Sequence, residues 1–421
     1  MKKIVSMAIS LIAAGNVLAA GFGIYEASTR GNAMGGALVA DTQPDASANY
    51  YNAANTAFAT NIQVTVGATF INPFYDPEVN HVPQNRMNAG WFTAPNFYFS
   101  VPLPADLTFG WGNYTEYGLG SRYAGGWDLA NDTKETTMRQ VTLNPNLAYK
   151  ITDKWSIAAG PRVSWISFSN DKQPFYKNST LALYGAPANL YSHLEGEDWS
   201  IGWTASTLYK ITDDWSIGFV YRSPIRHNIR GHFDMTGDPG LVLSGILPTA
   251  IPYHSSASAR LNLPESYILG SNYNVTDRYR VGTAITWTRW SSIREINFNI
   301  PNYGYTQAFH WKDTPRVSFG MEYDLLTWMQ VRCGYVFDRD PSKKSFSTTM
   351  LPPGDRHIIA TGLGFKLTEN LRFDLGFSLI RMNNQHYRVT TNAGTALQET
   401  KYFSCHNGFS YLVSANISYS F

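Results

Sequence analysis

The chain has 421 residues, 15% charged and 14% aromatic, with 33 basic against 31 acidic side chains and a net charge of +2. Charged residues make up roughly a quarter of an ordinary soluble protein, and a disordered chain would lack the aromatics. After the N-terminus no apolar run of about 20 residues occurs, which excludes helical spans, and no basic run suits nucleic acid.

Lys2 and Lys3 precede the apolar stretch Ile4 to Ala14, and Val17-Leu18-Ala19 offers small-residue cleavage chemistry. Residues 1–19 therefore read as a secretory signal peptide, and export without a second apolar segment points to the bacterial outer membrane. Residues 20–61 do not alternate and are rich in Gly, Ala and Asn. They read either as a periplasmic tail or as a hatch folded inside a lumen. Small residues favour the hatch, because a tail is usually richer in Pro, Lys and Glu.

From residue 62 onward several stretches alternate with period 2, which marks strands with two unlike faces. Trp155, Ile157, Ala159, Val163 and Trp165 share one face; Trp215, Ile217, Phe219 and Tyr221 share another. The last strand ends on the apolar face with Tyr419 and Phe421. A short turn recurs: Tyr149-Lys150-Ile151-Thr152-Asp153-Lys154-Trp155 is nearly repeated at Tyr209 to Trp215, and weaker copies lie near 101–107, 273–279, 323–328 and 365–371. Short turns on one side, long loops on the other and aromatics at strand ends predict an all-β fold, a transmembrane antiparallel β-barrel over 62–421. The alternating segments give fourteen strands, near 62–71, 90–101, 107–117, 138–150, 155–168, 199–210, 215–230, 258–273, 279–298, 310–324, 328–338, 357–367, 371–382 and 409–421.

Enzyme chemistry finds no support. There is no G-x-S-x-G elbow and no H-E-x-x-H, the nine histidines are scattered, and Cys333 and Cys405 read as two unpaired thiols. No catalytic residue, metal or cofactor is expected.

Ala20-Gly21-Phe22, then Gly31-Asn32-Ala33-Met34-Gly35-Gly36-Ala37 and Asp45-Ala46-Ser47-Ala48-Asn49-Tyr50-Tyr51-Asn52-Ala53-Ala54, resemble the hatch of the FadL-like outer-membrane transporters. Further matches include Tyr123-Ala124-Gly125-Gly126, Leu263-Pro264-Glu265, Trp287-Thr288-Arg289-Trp290-Ser291 and Lys312-Asp313-Thr314-Pro315-Arg316. The resemblance covers essentially all of the mature chain. It implies passive uptake of hydrophobic small molecules, most simply long-chain fatty acids and in some branches monoaromatic hydrocarbons. The competing reading is a structural or surface-binding barrel that never opens. A single-chain monomer is expected, with lipopolysaccharide as its neighbour in the membrane. One departure stands out: the family's Asn-Pro-Ala hatch motif here reads Asn52-Ala53-Ala54.

Candidate transport residues follow. The loops after strands five and seven carry Leu181, Leu183 and Leu190, and Leu241, Leu243, Ile246 and Leu247. They read as two loops packed on each other or, as the resemblance implies, as a groove that captures an apolar ligand. Parity from His310 sets Trp311, Val317, Phe319, Met321 and Tyr323 toward lipid and Lys312 and Arg316 toward the lumen. There the two cations either meet a ligand carboxylate or neutralise hatch acids such as Glu26 or Asp41. Arg162, Arg222 and Arg356 are further candidates of this kind. Gly21, Phe22 and Asn52-Ala53-Ala54 are the hatch positions of interest. Gly112, shortly before Thr115-Glu116-Tyr117, matches the inward kink of the family's third strand and a lateral exit. Otherwise Gly110 and Gly112 simply make room for hatch side chains.

Overall fold

A computed structural model of the chain describes residues 21–174, 177, 190–237, 253–302, 304–393 and 398–421. Fourteen antiparallel staves close into a barrel. In chain order they are β1 (Gln63–Val79), β2 (Phe92–Leu103), β3 (Leu107–Tyr114, resumed at Gly118–Arg122), β4 (Glu135–Lys150), β5 (Trp155–Lys172), β6 (Tyr191–Lys210) and β7 (Trp215–Arg222, resumed at Ile225–Thr236). They continue with β8 (His254–Leu263, then Ser266–Thr276), β9 (Tyr279–Thr288, then Glu295–Asn299), β10 (Thr314–Leu326), β11 (Met329–Asp338), β12 (Arg356–Lys366), β13 (Leu371–Met382, then Gln385–Thr391) and β14 (Glu399–Ser420). All six predicted short turns join consecutive staves. β1 pairs with β14 from Gln63↔Ser420 to Val79↔Phe403, which seals the sheet on itself.

The alternation is inverted relative to a soluble sandwich. Trp155, Ile157, Trp215, Ile217, Tyr419 and Phe421 are exposed, whereas Ser156 and Ser216 are fully buried. The apolar face therefore meets lipid and the polar face meets the lumen. The buried hydroxyls are satisfied by what fills the lumen: Ser156 Oγ donates to Ala54 O at 2.8 Å and Ser216 Oγ to Ala40 O at 2.6 Å.

The filling is the hatch. It holds two short helices, α1 (Thr29–Ala33) and α2 (Ala48–Tyr51), and a 3-10 turn over Ala53–Phe58. Asn52 caps that turn by accepting from Ala54 N at 3.0 Å, and its amide donates to Val39 O and Thr207 O at 2.7 and 3.0 Å. Ala53 thus occupies the first helical position, where proline is at home because its missing N–H has no partner to lose. The cap makes the turn without it.

Several staves carry a glycine where the hatch backbone touches the wall. A Cβ on Gly218, Gly282 or Gly320 would stand 2.4, 2.2 or 2.3 Å from Val39 O, Ala37 O or Met34 O, and one on Gly334 2.5 Å from Gly35 N. Gly282, Gly320 and Gly334 are cross-strand neighbours in register. Their lack of a side chain lets hatch and wall backbones approach closely.

Candidate functional site

The chemistry concentrates where β3 breaks. β2 pairs with β3 only from Leu103↔Leu107 up to Phe97↔Asn113. Beyond that, Phe92–Asn96 of β2 pair with β1 but have no partner on β3, and Gly118–Arg122 pair with β4 alone. The strand pairing between β2 and β3 is therefore interrupted above Asn113. The interruption itself is Thr115–Tyr117. Its polar groups are held from inside: Gln140 Oε1 accepts from Glu116 N at 2.9 Å and Tyr117 N at 3.3 Å. The Glu116 carboxylate meets the Arg162 guanidinium, accepts from Thr142 Oγ1 at 3.0 Å and lies 3.6 Å from Arg222 Nε. A buried acid between two arginines makes this departure from strand geometry a fixed feature.

The first residues of the hatch occupy the break. Gly23 bridges to Tyr117, Ile24 N donates to Glu116 O at 2.7 Å and Gly118 N donates to Phe22 O at 2.9 Å. The arm thereby supplies the pairing that β3 loses. It also places the Phe22 ring in an aromatic cage, 5.7, 5.2 and 5.4 Å from Tyr117, Trp290 and Trp311. Gly21 adopts φ +61°, and a Cβ there would strike Trp290 at 2.8 Å, so only glycine fits the end of the arm.

Behind Phe22 lies a cavity lined only by apolar side chains, among them Leu119, Met138, Phe168, Leu261, Phe298 and Trp311. Its volume is about 30 Å³, room for roughly two waters. A ligand larger than that needs Phe22 or its neighbours to move. Leu190 packs in the same apolar cluster, which links the end of the loop after β5 to the cavity.

The rest of the hatch is held differently. Arg30 on α1 binds Asp41 at 2.6 Å within the hatch and forks onto Glu322 of β10 at 3.0 and 3.1 Å. Glu322 also receives Arg280 at 2.7 Å and Arg332, and Arg332 reaches Asp374 at 2.7 Å. Burial raises the Asp45 carboxyl above its ordinary range and Arg30 opposes it. Burial likewise raises the Tyr50 and Tyr51 hydroxyls, which keeps them neutral.

Of the sequence-predicted residues, Leu181, Leu183, Leu241, Leu243, Ile246 and Leu247 lie outside the described residues. The parity reading of the tenth strand holds from Thr314 to Asp324, with Arg316 inside and Val317 and Phe319 outside. It fails before Thr314: Trp311 is buried in the cage and Lys312 is exposed. The cause is local, since His310 has φ +46° and the chain bends before the strand begins. Arg316 stacks on Tyr25 at 4.5 Å, donates to Gly35 O at 3.3 Å and sits 3.8 Å from Asp338. It therefore meets a wall carboxylate and hatch backbone, and neither Glu26 nor Asp41. Arg222 donates to Tyr50 O at 2.6 Å, and Arg356 binds Asp338. Gly112 pairs in register with Tyr98 and Asn144, so the interruption falls beyond it. A Cβ on Gly110 would meet Asn49 of the hatch, and one on Gly112 the Tyr114 ring. The cage residues Tyr117 and Trp290 had no assigned role in the sequence, and Trp311 was read toward lipid; ring contacts between such distant positions leave no local spacing to read.

A family model described as "Outer membrane protein transport protein (OMPP1/FadL/TodX)" matches residues 10–421. The chain belongs to that family. It is 25% identical over 390 residues to a long-chain fatty acid transport protein of Escherichia coli O6:H1, covering 85% of this chain and 84% of the relative. Outer membrane protein P1 of Haemophilus influenzae is 22% identical over 98% of this chain and 97% of its own length. In fold the chain is similar to a Pseudomonas aeruginosa FadL homologue, with a TM-score of 0.84 at 19% identity, covering 95% of this chain and 100% of that one. It is also similar to the Pseudomonas putida toluene transporter TodX, with a TM-score of 0.69 at 16% identity, over 94% and 99%. The chain is thus a multi-pass outer-membrane barrel and a transporter of hydrophobic substrates, and the family's members are transport proteins.

Proposed function

We propose that the chain carries long-chain fatty acids down their gradient, with the hatch arm as the element the ligand displaces. The observation that carries this reading is the double role of Gly21–Ile24: Phe22 fills the cage beside the apolar cavity, and the same backbone completes the broken strand β3. An alkyl chain competes with Phe22 for the cage, because both gain by burying apolar surface. Once Phe22 leaves, the backbone contacts with Glu116 and Gly118 go with it, and the opening between β2 and β3 loses its inner cover. The ligand then leaves sideways into the membrane. The long loops after β5 and β7 are the capture surface in this reading, Leu190 joining the first of them to the cavity. One chain provides the whole route.

Neutral hydrocarbons are a second reading, favoured by the wholly apolar cavity lining. A carboxylate brought there would lack a partner, so a fatty acid has to keep its head group outside the cavity. Deleting Gly21 to Ala27 tests the common mechanism. The barrel should still assemble, since β1 begins at Gln63, and uptake of a labelled fatty acid should change. Unaltered uptake by a correctly folded deletion would overturn the role of the arm. Competition between oleate and an unsubstituted aromatic for the purified protein separates the two substrate readings.

A further inference from the structure

We propose that the outer face of β7 and β8 binds the phosphorylated glycolipid of the outer leaflet, the lipid A portion of lipopolysaccharide, as a specific partner. Above their breaks both staves alternate cleanly. Ile225, Ile229 and Phe233 point into the apolar interior cluster, so Arg226, Asn228 and Arg230 point out and are exposed. On β8, Leu261 and Leu263 are buried and Arg260 is exposed. Arg260 stands opposite Asn228 in register and donates to its side-chain oxygen at 3.3 Å. The Arg226 and Arg230 side chains have no hydrogen-bond or ion-pair partner among the described residues.

Three guanidinium groups on a membrane-facing wall need an anion. Their surroundings say which kind. Trp199, Ile201 and Trp203 of the adjoining stave β6 are 60%, 65% and 52% exposed on the same outer face. The Tyr221 and Tyr267 rings lie 5.1 Å apart, tilted to each other, beneath the breaks. Apolar rings and a β-branched side chain next to unpartnered arginines fit an amphiphile: acyl chains against Trp and Ile, phosphate on the arginine forks. This face lies on the side of the long loops, opposite the short turns, where the leaflet lipid carries sugar-linked phosphates.

Among the described residues no carboxylate makes an ion pair with these arginines, and the nearest acids have other hydrogen-bond partners. Asp198 is taken up by His227 Nδ1 at 3.0 Å and Asn228 N at 3.1 Å. Glu197, opposite Arg230 in register, accepts from Trp165 Nε1 at 3.2 Å. Higher up, Asp171, His193, Asp234 and His254 form one cross-strand row over β5 to β8. In it Asp171 meets His193 at 2.6 Å and Asp234 meets His254 at 2.5 Å. Glu195 lies 3.2 Å from His232 and 3.3 Å from His193. Each acid of the row hydrogen-bonds to an imidazole and none reaches the arginines below it.

The test uses the full-length protein in detergent, titrated by native mass spectrometry with bis-phosphorylated lipid A. The triple variant Arg226→Gln, Arg230→Gln, Arg260→Gln should bind it about tenfold more weakly, at least one strong charge-assisted contact being lost. Phosphatase-treated lipid A should bind the wild type as weakly as intact lipid A binds the variant. The corresponding triple lysine variant should recover part of the affinity. The single variant Arg230→Gln, with a smaller loss in the same direction, serves if the triple variant does not assemble. Equal binding by wild type and glutamine variants overturns the proposal. So does equal binding of intact and dephosphorylated lipid A, or phosphatidylglycerol binding as well as lipid A.

Discussion

The hatch contains two regions with opposite attachments. The arm, Gly21 to Ile24, is held by ring contacts and a few backbone bonds at a strand break. The body, from α1 onward, is held by a buried network in which Arg30 and three wall arginines converge on Glu322, and by glycines that admit its backbone to the wall. A hydrophobic ligand can replace the first kind of contact with contacts of its own. It can offer nothing in place of the second. On the mechanism proposed above, the contrast assigns gating to the arm and leaves the body seated.

The strongest way to break that contrast is to unseat the body. Arg30→Ala leaves Asp41 buried without its cation and cuts the tie between the hatch and Glu322, which keeps its three wall arginines, a loss of about 3–5 kcal/mol. Ion conductance through the barrel in planar bilayers should rise well above wild type; an unchanged, closed channel would show that the network does not anchor the hatch. Phe22→Ala attacks the arm instead, removing about 3 kcal/mol of packing while vacating the cage. Binding of an apolar fluorescent probe should become tighter, with conductance hardly altered. Weaker binding would mean that Phe22 forms part of the ligand site and is not its occupant. Gly320→Val pushes a side chain toward Met34 O and should cost about 1–3 kcal/mol as overpacking, read as a lower unfolding temperature. The smallest effect is expected from Gly112→Val, at about 1 kcal/mol. The added Cβ first meets the Tyr114 and Tyr98 rings, and uptake should stay within about twofold of wild type. Lost uptake with retained binding would move the controlling bend back to Gly112.

The barrel was legible because its rules are periodic. Trp155, Trp215 and Phe421 announce a lipid face by position alone, and the six short turns mark one rim. The parity of Arg316 followed from the same rule, whereas Trp311 and Lys312 escaped it because a positive φ at His310 resets the chain before β10 starts. The bend in β3 was placed near a glycine, the residue that permits irregular backbone. It is fixed instead four residues on by Glu116, through side chains of β4, β5 and β7 that no local pattern connects. The cage has the same character: Phe22, Tyr117, Trp290 and Trp311 meet only after the barrel has brought four distant segments together.

The seam between β1 and β14 pairs residue 63 with residue 420, a contact at almost the greatest separation the chain permits. Contacts of high sequence separation form slowly, because the entropy of the long loop is lost before pairing repays it. A body keyed to the glycines of β7 to β11 and tied to Glu322 has no path into a cylinder that is already shut. On this argument the hatch is a core around which the barrel folds. It has to lie among the growing staves before Gln63 meets Ser420, and closure of the seam is the step that makes its capture permanent.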